Sequence, residues 1–132
     1  MNVSIQQLQE HACQALADLV QSFDKHLEEQ IKERSKHLEY VDATEILVAW
    51  GNDHMDVLHK HLIEFGVWVP SSVLEKLQGA ASQFGSAYYQ NKGGHAAHEQ
   101  NADHSALKAN ELMHEALEEF RNHLNDKYKL AL

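Results

Sequence analysis

Apolar residues recur at intervals of three and four along most of the chain, and the β-branched alternation that marks a strand is absent. One proline and six glycines leave few places where a helix must stop. Three starts are legible. Ser4 with Gln7 forms a capping box, flanked by Val3 and Leu8 at the positions of a hydrophobic staple, and Asp42 with Glu45 repeats the device between Val41 and Ile46. Pro70-Ser71-Ser72 followed by Glu75 supplies the third, with Ser72 as the cap. Gly66 ends one helix and Asn91-Lys92-Gly93-Gly94 ends another. These signals predict helices over 5–39, 43–65, 73–90 and 102–129, with 91–101 either a loop or an extension of the last helix that frays. The fold class is all-α: an up-down four-helix bundle in a single domain spanning 1–132, five helices if the second breaks near Gly51. At about 1.5 Å per residue the first helix outruns the second, so it bends or overhangs into a second copy.

Placing residues 100° apart shows which faces turn inward. The first helix carries Ile5, Leu8, Ala12, Leu16, Leu19, Val20, Phe23 and Leu27, continuing to Ile31 and Leu38. The second carries Leu47, Trp50, Met55, Leu58, Leu62 and Phe65, and the third Val73, Leu74, Leu77, Ala80, Ala81, Phe84 and Tyr88. The fourth offers Leu107, Met113, Leu117, Phe120, Leu124 and Tyr128. Polar side chains share these faces. His26 joins the first stripe, with Gln30, Arg34 and His37 further along; His54 and His61 lie inside the second, and Asn110, His114 and Arg121 lie on the fourth.

Charge narrows the partners. Twenty acidic against eleven basic residues give a formal net charge of −9, which disfavours nucleic acid and anionic membrane. No apolar run reaches the roughly 18 to 20 residues that span a bilayer. The single cysteine, Cys13, and an opening without a basic or apolar leader predict a cytoplasmic protein, with Cys13 as a small packing residue.

Eleven histidines raise the question of metal, since imidazole is the commonest protein ligand for zinc, iron and copper. Glu111-Leu112-Met113-His114 is an E-x-x-H of the di-iron type, but its counterpart, Asp56 with His59, falls on the water side of the second helix, which removes that site. If the first two helices are antiparallel, His26 and His54 stand at nearly equal height, and the fourth helix brings His114 to a similar level. These three, with His61 as substitute, form the candidate metal set for zinc or iron. The alternative is that they are core histidines held by hydrogen bonds. A second group, His95, His98, Asp103 and His104, lies beside the glycines. Phe65-Gly66-Val67-Trp68 together with His95 and His98 resembles fragments of bacterial chemoreceptor-type zinc domains. Ile63 and Glu64 stand where those domains carry a cysteine ligand, so the chain is not assigned to them.

No glycine-rich phosphate loop and no nucleophile elbow occurs, and Cys13 has no adjacent base, so no catalytic residue is assigned. Two functions follow. The first is a binding or regulatory module that associates with protein, itself included, through the long first helix. The second is a histidine-rich bundle that senses metal or uses it at an open coordination position. Inward histidines would also charge as pH falls towards about 6, loosening the bundle in acid.

Overall fold

A computed structural model describes residues 4–36, 54–91 and 96–129. The Asp42–Glu45 cap, Trp50, the Gly51 break, His37 and His95 lie outside these residues. The described chain is an all-α bundle of α1 (Ile5–Lys36), α2 (described over 54–65), α3 (Ser71–Asn91) and α4 (Ala96–Tyr128). No strand occurs among the described residues.

The first cap forms as its residues require. The Gln7 N–H donates to Ser4 Oγ at 3.1 Å, and the Ser4 N–H donates to Gln7 Oε1 at 2.9 Å. Two donors that a helix start leaves unpaired are thereby satisfied. Gly66 ends α2 as expected, and the chain tightens into a 3-10 turn over Gly66–Trp68, closed by Val69 N–H donating to the Gly66 carbonyl at 3.2 Å. The third start differs from expectation. α3 begins at Ser71, and the Pro70 carbonyl accepts the Leu74 N–H at 2.9 Å, so Pro70 rather than Ser72 is the cap. Proline suits a helix start because its missing N–H would have had no partner there. The loop alternative over 91–101 is also corrected: α3 runs through Asn91 and α4 starts at Ala96. Nothing between Ala96 and 101 breaks a helix, and the Ala-Ala pair that opens it favours one.

Contacts along each neighbouring pair fix its direction. Phe23 meets His54 while His11 meets Phe65, so α1 and α2 are antiparallel. Met55 approaches Gly85 while Leu74 approaches Gly66, which makes α2 and α3 antiparallel. Lys76 faces Glu115 and Gly79 faces Leu112 between α3 and α4. The ring closes with Asp24 against His114 and Gln9 against Tyr128, whose hydroxyl donates to Gln9 Oε1 at 2.6 Å. The result is up-down-up-down, each helix touching the one before it and α4 returning to α1.

The core holds Leu16, Phe23, Leu58, Leu77, Phe84 and Phe120 among its fully enclosed large side chains. Two expected members are outside it: Ile5 is 63% and Leu107 is 53% exposed. The alanines explain Leu107. Ala106, Ala109 and Ala116 are buried and shift the inward face of α4 away from the face that large residues alone suggest. Ala80 and Ala81 are buried on α3, and α3 packs on α4 more extensively than α1 does. Gly79 sits in this seam, where an added Cβ would stand 3.6 Å from Leu112 Cδ1, an ordinary contact distance. Gly79→Ala is therefore expected to stabilise the fold by about 0.5 to 1 kcal/mol, because alanine gives up less backbone freedom in a helix. A urea titration that left the midpoint unchanged or lowered it would contradict this.

Candidate functional site

The aromatic centre of the bundle contains a histidine. His54 is buried on α2, with its ring centroid 3.9 Å from that of Phe23 and 5.5 Å from that of Phe84, and Phe23 meets Phe84 edge-on at 5.6 Å. His26, one turn beyond Phe23 on α1, is exposed rather than inward, yet its ring lies 5.4 Å from that of His54. The pair thus runs from the core to the surface across the α1–α2 seam.

His114 goes elsewhere. It lies on the outer edge of α4, its side chain 51% exposed, and its Nε2 is 2.7 Å from Asp24 Oδ1. Asn110 Nδ2 donates to the same oxygen at 3.2 Å, so Asp24 bridges two residues one turn apart on α4. The expected inward facing of His114 and Arg121 is corrected, since both are exposed and the buried alanines take that side. Arg121 lines the same polar crevice between α1 and α4, with Gln14, Asp18 and Gln21. Asp24 had no signal in the sequence. Its role follows only from the register of α1 on α4.

His61 sits about two turns along α2 from His54, buried, its ring 4.9 Å from that of Phe65. Its Nε2 is enclosed and has no hydrogen-bond partner among the described residues. Of the four candidate ligands, then, His26 and His54 come together, while His61 and His114 stand apart from them and from each other. Among the described residues no group of three or more His, Cys, Asp or Glu is placed to hold a metal ion. Asp56 and His59 are exposed, as their positions on the wheel implied, and Glu111 is exposed as well. Cys13 is buried at 5% exposure, and burial pushes its thiol up despite the opposing pull of Arg121. A shielded, protonated thiol is a packing group and a poor nucleophile.

No protein-family model matches the chain, and neither a curated protein nor a solved structure matches it.

Burial lowers the pKa of His61 from its ordinary 6.5, with nearby Glu64 acting weakly the other way. The unfolded chain therefore takes up a proton at His61 before the folded chain does. Its contribution to stability is whole above the ordinary value and falls as pH drops below it towards the lowered folded value. Replacing His61 with leucine removes both this penalty and an unpartnered buried nitrogen. His61→Leu is expected to raise the thermal midpoint, and to raise it more at about pH 5.5 than at about pH 7.5. An equal shift at both would show that His61 titrates alike in the folded and unfolded chains.

Proposed function

We propose that the protein is an interaction module whose working surface is the outer face of α2 and the turn that follows it, and that it self-associates there. The observation that carries this reading is the exposure of Ile63 at 84% and Val67 at 83%, joined by Val57 at 43%. Isolated apolar residues on a surface mean little, but Ile63 and Val67 line one groove with Leu62 and Leu74 against α3. The described outer face of α1, by contrast, is polar through Gln14, Asp18, Gln21, Lys25 and Glu28, which moves the expected contact from the first helix to the second. A net charge of −9 disfavours an anionic membrane surface, so the apolar face is read as a protein-docking surface.

Light scattering after size exclusion is expected to give a dimer that Ile63→Asp splits with unchanged helicity. At 84% exposure the substitution should cost the monomer within about 0.5 kcal/mol. A dimer that withstands Ile63→Asp would remove α2 as the contact.

The second reading, a metal-binding bundle, is supported by the His26–His54 pair. Two imidazoles on one zinc ion, each about 2.0 to 2.1 Å from it, hold their ring centres roughly 5 Å apart, close to the spacing these two rings have. Water would complete the shell. Zinc at excess should then raise the thermal midpoint, because a ligand that binds only the folded state stabilises it. His26→Ala should abolish the rise without opening the core, since His26 is exposed. A rise that survived His26→Ala would place the metal elsewhere.

A further inference from the structure

We propose that the outer face of α2 pairs with the same face of a second copy, antiparallel, about a two-fold axis level with Leu62. This rests on the reading of α2 as a docking face, and adds its occupant and register.

The exposed strip runs through Asp56, Lys60, Ile63 and Glu64 of α2 and Val67 of the turn that follows it. Lys60 and Glu64 are one turn apart and both border the crevice towards α1, so they share an edge of the strip. Ile63 and Val67 border the groove towards α3. A strip that must fit a copy of itself is constrained by symmetry, because every contact occurs twice.

The order of charges selects the arrangement. A parallel pairing sets the α1 edge of one copy against the α3 edge of the other, so Lys60 and Glu64 would face the apolar edge of Ile63 and Val67 and find no opposite charge. An antiparallel pairing centred on Lys60 sets Lys60 against itself and Asp56 against Glu64. Centring it on Leu62 changes every pairing. Lys60 then lies two residues before the axis and Glu64 two after it, so each lysine faces the glutamate of the other copy, twice over. Ile63, on the α3 edge, obeys the same centre, since it lies beside the axis next to its own copy. Antiparallel pairing keeps like edges together, so Lys60 and Glu64, which share the α1 edge, are on the correct side to meet. Ile63 and Val67 exclude water between the copies, and the charge pairs choose direction and register.

A charge-swap series tests the register in the full chain. Lys60→Glu alone and Glu64→Lys alone each place like charges opposite one another at two symmetric positions. Each is expected to weaken dimerisation by about tenfold or more at low salt, with helicity unchanged by circular dichroism. The double variant Lys60→Glu with Glu64→Lys restores opposite charges and should return the dimer dissociation constant to within about threefold of the native value. A dimer that Ile63→Asp splits, but in which the double variant is as weak as the singles, would overturn this register and leave the docking face standing. A chain that stays monomeric at about 1 mM, or a dimer indifferent to Ile63→Asp, would overturn the docking face with it.

Discussion

The fold depends on the packing of α3 against α4. Ala80 and Ala81 on one helix and Ala106, Ala109 and Ala116 on the other are buried, and Gly79 faces Leu112 across the pair. Large side chains fill the centre: Phe84 reaches Phe23 across the bundle, and Leu77, Met113 and Phe120 are fully enclosed. Protein interiors pack at close to crystal density, so these enclosed side chains constrain how the other helices can sit against them. With α3 and α4 fixed, α1 closes on α4 through Asp24 and Tyr128, and α2 fills the remaining side against α1 and α3.

Placing a histidine in that centre is the bundle's main departure from an apolar core. His54 packs as an aromatic ring between Phe23 and Phe84, which uses the flat shape of imidazole in place of another phenylalanine. His61 is buried too, but its enclosed Nε2 has no partner among the described residues. A buried nitrogen without a partner costs about 1 to 3 kcal/mol, which the surrounding apolar packing must offset. Both histidines lie on α2, the helix whose other side carries the exposed Ile63, with Val67 exposed in the turn that follows it. α2 is thus the element in which inner and outer faces both depart from what stability alone would select.

Much of the fold was legible. The Ser4–Gln7 cap, the stop at Gly66, the antiparallel order and the inward placing of His54 and His61 all follow from local spacing, because a 3.6-residue period and a capping side chain act within one or two turns. The errors have a common origin. Large residues alone put the inward face of α4 through Leu107 and His114, whereas three buried alanines set it elsewhere. Pro70 displaced Ser72 as a cap for a related reason: several residues in a row were able to begin that helix, and only the backbone hydrogen bond chose between them.

By itself the sequence determined the class of fold, the helix order and the side of α2 on which each histidine lies, since periodicity and caps are properties of neighbours along the chain. Which histidines meet was decided by tertiary structure alone. His26 and His54 are brought together, and His114 is turned away to Asp24, by the relative height and rotation of packed helices. Those are set by the sizes of residues in contact between helices, and a rotation of one position is enough to move a side chain from core to solvent.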